Sequence, residues 1–199
     1  TRPTFAPRLA TPDALEPFLA HLEPGRDGFA YEQLGVEIEA RLGALETWLT
    51  AGPARAIDSL DLLAPGFRGG DVQPDTARAP AAGEMPLLVR HFRPATGRPS
   101  LDAAAFRTRL HTLVAGLERV TATEFHVTAV DSSPESDVIH TDVRFDFIGE
   151  AAAVAREAHV GTWRMTWRRV DASWQVVEWT TVSHVKSRAN ALLFNDMTA

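Results

Sequence analysis

The sequence predicts an α+β domain in which three helices pack on a curved, mainly antiparallel sheet. Three observations carry this reading. Apolar residues recur at three and four positions over Phe29 to Leu49, about Ala54 to Ala64, and Phe106 to Val120, the spacing of one helix face. From Thr123 onward the period changes to two, in the runs Thr123 to Val130, Val138 to Ile148, Val154 to Val170 and Trp174 to Val185. These runs follow one another after short breaks, as at Asp171 and Ala172, so they read as antiparallel strands in sequence order.

Taken in order, residues 1–27 hold five of the thirteen prolines, with Leu15, Phe18, Leu19 and Leu22 between Pro12 and Pro24. They read as an extended arm with one short helical turn. The first helix carries Leu34, Ile38, Leu42, Leu45 and Trp48/Leu49 on one face and ends at Gly52-Pro53. A second helix over 54–64 buries Ile57, Leu60 and Leu63, and Pro65-Gly66 stops it. Residues 68–83, rich in Gly, Pro, Asp and Ala, read as a loop, and Leu87 to Phe92 as a short strand. Ser100 is a candidate N-cap, with Asp102 in the first turn of the third helix, whose stripe is Phe106, Leu110, Leu113, Leu117 and Val120.

The strands are amphipathic. Phe125, Val127 and Ala129 share one face, as do Ile139, Thr141, Val143, Phe145 and Phe147; the other face carries Glu124, His126, Thr128, His140, Asp142, Arg144 and Asp146. In the next strand Glu157, His159, Trp163, Met165 and Trp167 fall together, which turns the indoles toward the helices. In the last, Trp174 and Val176 have a parity that Trp179 does not share, so a bulge near Val176 is predicted.

Composition excludes several classes of function. Net charge is -6 and the basic residues are scattered, so a nucleic-acid footprint is absent and no nucleic-acid partner is expected. Cysteine is absent, which removes disulfides, thiolate nucleophiles and zinc–cysteine sites. No apolar run approaches the ~20 residues of a membrane helix, so no membrane insertion is expected. The start at Thr1, without a methionine, reads as a trimmed piece.

Three sets of side chains could carry chemistry. With a hairpin turn around Asp131 to Asp137, His126 would face Asp142 and Thr128 would face His140, so His126, His140 and Asp142 form a candidate metal set. The bland reading of that polar face is a solvated sheet with cross-strand ion pairs, Glu124 to Arg144 and Asp146 to Arg156. His159 lies on the apolar face, opposite Val143, and with Glu157 near the rim it is the best acid–base pair available. Its bland reading is a core histidine with one hydrogen bond. Trp48, Phe67, Phe125, Phe145, Trp163, Met165, Trp167 and Trp179, with His159, would wall any pocket for a hydrophobic small molecule, or else fill the core. No cofactor is indicated.

The order of elements over residues 29–186 resembles the cone-shaped nuclear-transport-factor-2-like (cystatin-like) fold. The strings LEPGRDGFAYEQLGVEIEARL, LLAPGFRG, TATEFHVTAV, VRFDFIG and REAHVGTWRMTW resemble the N-terminal region of bacterial FG-GAP repeat proteins of the ASPIC/UnbV class. The tail FNDMTA, Phe194 to Ala199, is similar to the start of that family's β-propeller, with Met197 in place of a valine. The resemblance implies an arm over 1–27, a domain over 28–187 and a propeller start over 188–199, in a larger extracytoplasmic protein, periplasmic or secreted. It also implies a partner in the protein's own propeller or in a second copy across the polar sheet face. The ketosteroid isomerases that share this fold need an inward aspartate and a tyrosine. Here the one tyrosine, Tyr31, opens the first helix, Asp142 and Asp146 point outward, and Asp58 and Asp61 fall on the second helix. The sequence therefore points first to a non-catalytic binding domain, and second to a small-molecule enzyme of the polyketide-cyclase or dehydratase kind that uses His159.

Overall fold

The computed structural model describes residues 30–51, 61–73, 87–92, 97–132, 137–151, 154–171 and 173–189. They form helix α1 (Ala30–Thr50), strands β1 (Leu63–Gly69) and β2 (Leu87–Phe92), helix α2 (Ala103–Val114), and the long strands β3 (Arg119–Asp131), β4 (Val138–Ala151), β5 (Val154–Val170) and β6 (Ser173–Ala189). The α+β class is as read, with two helices among the described residues. The strands make one sheet in the order β1-β6-β5-β4-β3. The long β6 serves two partners along its outer edge: β1 runs parallel to its first half and β2 antiparallel to its second.

The apolar stripe of α1 buries Ile38, Leu42, Leu45, Trp48 and Leu49 and packs on β3; α2 buries Phe106, Leu110, Leu113 and Val114 and packs on β1. Beneath them the inner sheet face is aromatic. The rings of Phe145 and Trp163 stack with centroids 4.1 Å apart, Trp163 meets Trp179 edge-on at 4.8 Å, and Trp179 meets Phe106 at 5.0 Å. Trp48, Phe67, Phe125, Met165 and Trp167 are buried in the same cluster. Each such ring removed from water contributes about 2 kcal/mol or more, so this interdigitated layer is the main source of stability.

Several local readings are corrected. Leu63 belongs to β1, not to a second helix; Ala64 and Phe67 are buried alternately with exposed neighbours, and Asp61 and Leu62 form a turn. A short apolar run fits either period, and here pairing with β6 decides it. Pro65 and Gly66 do not end a helix but form an irregularity inside the strand, where Gly66 takes φ 77° and the register slips between Leu63 and Arg68. Residues 52–60, including Ile57, Asp58 and Leu60, lie outside the described residues, as do the arm over 1–27 and the tail Phe194 to Ala199. The N-cap of α2 is Asp102 rather than Ser100: its Oδ1 accepts from the Ala105 amide at 2.8 Å. That helix ends at Val114, so Leu117 and Val120 reach the core from beyond it.

The β3–β4 register also differs from the sequence reading. Glu124 faces Asp146, His126 faces Arg144, Ala129 faces Asp142 and Asp131 faces His140. A register shift between Val127 and Ala129 turns Ala129 outward, against the expectation that it joins Phe125 and Val127. The anticipated pairs Glu124 to Arg144 and Asp146 to Arg156 do not form, since Asp146 faces Val160 and Arg156 faces Ala189. Instead Arg164 grips Asp142 with two hydrogen bonds of 2.9 and 3.1 Å, and Arg119 pairs with Glu150 at 2.6 Å.

Candidate active site

The site is made by three strands whose inward residues alternate at one end of the sheet. On β5 these are Glu157, His159 and Gly161; on β6, directly opposite, they are Arg188, Lys186 and His184; on β2, beyond, they are Leu88, Arg90 and Phe92. The inward facing of His184 depends on β6. Thr166 pairs with Glu178 and Trp167 with Val176, leaving Val177 extra, which is the bulge the sequence predicts. A second shift leaves Val182 extra between Thr181 and Ser183 and turns the even-numbered residues from His184 onward back to the interior.

His159 faces Phe147 rather than Val143, and Glu157 is not at a rim: both side chains are fully buried. His159 Nε2 lies 2.7 Å from Glu157 Oε1, and His159 Nδ1 lies 2.9 Å from His184 Nε2. Lys186 Nζ reaches Glu157 Oε1 at 2.6 Å, and Arg188 Nε reaches Oε2 at 2.5 Å. Phe147 stacks on the His159 ring at 4.6 Å, and Phe92 stacks on that of His184 at 4.8 Å. Gly161 makes room for this arrangement, because a Cβ there would stand 2.6 Å from the Phe145 ring, which itself leans on His184.

Proton positions follow from charge. Burial alone would raise the Glu157 carboxyl, but hydrogen bonds from His159, Lys186 and Arg188 outweigh it and hold it at about 2. An ionised carboxylate requires the proton on His159 Nε2. Nδ1 of His159 is then an acceptor, so His184 Nε2–H donates to it. Burial pushes both histidines below the ordinary value, His184 to about 3 with help from the neighbouring His159 and Lys186. Both are therefore neutral at pH 7, and the chain of bonds ends at His184 Nδ1, a buried lone pair with no partner among the described residues. Such a lone pair costs about 1 to 3 kcal/mol and calls for a reason other than packing.

The relay joins Glu157 and His159, the pair anticipated from sequence, to His184, Lys186 and Arg188, which sequence reasoning missed. A signal was present: Lys186, the chain's one lysine, alternates with His184 and Arg188 as Glu157 alternates with His159. The metal candidates are not brought together. His126 is largely exposed beside Glu124, His140 bonds Thr166 at 3.0 Å, and Asp142 is occupied by Arg164. Among the described residues no group of three potential ligands could hold a metal ion. Tyr31 is exposed on α1.

No protein-family model matches the chain, and no curated protein matches it. One solved structure that it resembles is a provisionally assigned scytalone dehydratase from Novosphingobium aromaticivorans DSM 12444, at 12% identity and a TM-score of 0.48, over 84% of this chain and 98% of that one.

Proposed function

We propose that the domain is a small-molecule enzyme that moves a proton on carbon, with His184 as the base and His159 and Glu157 as its positioning relay. The carrying observation is the unpartnered Nδ1 of His184 at the end of a fully buried carboxylate–imidazole–imidazole chain. Burying three such groups stabilises a fold poorly compared with apolar packing, whereas it is the usual way of preparing an acid–base group. A carbonyl compound placed against Nδ1 loses a C–H proton to that nitrogen. The electron pair passes into the carbonyl oxygen as an enolate, and the imidazolium charge on His184 is shared through His159 with the Glu157 carboxylate. In a β,γ-unsaturated ketone, returning the proton to the γ-carbon of the conjugated enolate gives an isomer; in a β-hydroxyketone, delivering it to the β-hydroxyl as the enolate re-forms the carbonyl releases water and leaves an α,β-unsaturated ketone. A substrate oxygen that accepts a hydrogen bond from the protonated Nδ1 favours the charged form and offsets the burial that keeps His184 weakly basic, so basicity rises when the site is filled.

The element order and the helix-covered sheet support the nuclear-transport-factor-2-like assignment, whose members carry pockets on this inner face. A second reading, a binding module ahead of a propeller in an exported protein, draws support from the quoted strings and from an aromatic interior filled by its own rings. The two are separated by incubating the protein in D2O with ketones and β-hydroxyketones, levulinate included, and following the α-protons by NMR. The enzyme reading expects exchange or dehydration that falls about 10²- to 10⁴-fold in His184→Gln. Rates equal in both proteins across the panel would leave the binding module.

A further inference from the structure

We propose that the cavity bounded by Gln73, Leu88, Arg90, Lys186 and Arg188 is a subsite for a small oxyanion, the carboxylate or phosphoryl group of the molecule on which the relay acts. This deepens the reading above and rests on it only for the identity of the occupant. The cavity measures about 100 Å³. At ~30 Å³ per water, that is room for about three waters or for one acetate- or phosphate-sized group.

Its wall is built by register. Leu88 faces Arg188 and Arg90 faces Lys186 across the β2–β6 pair, so three cations stand on two rungs separated only by that of Val89 and Ser187. A single carboxylate, Glu157, meets them from the β5 side through Lys186 and Arg188. Among the described residues that line the cavity no acidic group balances the rest. Among the described residues three positive charges stand against one negative, around a recess where the Lys186 side chain is only 15% exposed. Field lines concentrate in such a recess, and an anion entering it is met by the unused donors of Lys186 and the two guanidinium groups, with the Gln73 amide beside them.

The position also couples the subsite to the base. Lys186 touches Glu157, which in turn holds His159, and the Lys186 charge is one of the influences that lower both histidines. An anion on Lys186 offsets that charge, so filling the subsite makes His184 a better base. A substrate without the anionic group gains neither the grip nor the activation.

The test uses the full chain and titrates sodium phosphate, and separately sodium acetate, at constant ionic strength, with backbone amide shifts read by NMR. Saturable shifts centred on Arg90, Lys186 and Arg188 are expected, with the tighter of the two anions naming the group. Arg90→Gln, at an exposed position outside the Glu157 network, should fold normally and weaken binding about tenfold. Shifts that rise linearly without saturating, or equal affinity in Arg90→Gln, would overturn the subsite. Deuterium exchange without saturable anion binding sinks only this proposal; anion binding without exchange sinks only the enzyme reading.

Discussion

The two faces of the β4–β5–β6 sheet carry the same kinds of side chain and put them to different use. Outside, Asp142, Arg164, His140 and Thr166 form ion pairs and hydrogen bonds at the edge of water. Inside, Glu157, Arg188, His159 and His184 make contacts of comparable length with Glu157 and both histidines buried. Outside, water replaces any lost partner, so a pair is worth about 0 to 1 kcal/mol. Inside, each charge or lone pair depends on a particular neighbour, and proton affinity moves with it. The protein, rather than solvent, sets proton affinity on the inner face alone.

The largest expected effect compares one carboxylate from each face. Glu157→Gln leaves the largely buried Lys186 without its counter-charge and should cost about 2 to 4 kcal/mol in urea unfolding. Asp142→Asn should cost about 1 kcal/mol or less. Equal losses would mean that burial does not distinguish the two networks.

Next is the dependence on pH. His159 and His184 have folded values below the ordinary 6.5, so the unfolded chain binds more protons, and stability present above that value is lost as pH falls. The window opens near pH 6.5 and, for His184, runs down to about 3. Glu157 works in the same direction, but only below its ordinary 4.5 and down to about 2. Between pH 6.5 and about 3, His184 should add a slope that approaches about 1.4 kcal/mol per pH unit, and His159 adds to it in the same direction. His184→Gln, whose amide can still donate to His159, should remove one such share from the slope of unfolding free energy against pH. Coincident slopes would show that His184 is not held neutral.

The same comparison explains what could be read from sequence. Alternation placed Ile139 to Phe147, and Glu157 with His159 to Trp167, on the inner face correctly, because a strand exposed on one side must segregate its residues. The bulge near Val176 was legible as a change of parity between Trp174 and Trp179, two indoles that both need burial. The bulge at Val182 was not. Thr181, Val182 and Ser183 carry no comparable apolar signal, so extending the parity of Trp179 sends His184 outward and hides the far end of the relay. Sequence alone places Glu157 at the rim, because its two cations lie on β6 and no local pattern in β5 announces them. Hairpin register failed at the turn: His140 pairs with Asp131, three places from the expected Thr128, and the extra residue near Val127 changes that offset by only one, without altering which residues are apolar.

The smallest expected effect belongs to the outer histidine. His140 Nδ1 bonds Thr166 Oγ1 at 3.0 Å on an exposed rung, and solvent can take over for either partner, so His140→Ala should change stability by no more than about 0.5 kcal/mol. The altered register adds a second consequence. His126, Asp142 and His140 face Arg144, Ala129 and Asp131 across β3 and β4, so no rung joins two of the candidate ligands. Zinc should therefore leave the melting temperature unchanged in the wild type and in a His126→Ala/His140→Ala double variant alike. A zinc-induced rise that disappears in the double variant would show that the outer face gathers its histidines after all, and the contrast between a chemical interior and a solvated exterior would then have to be redrawn.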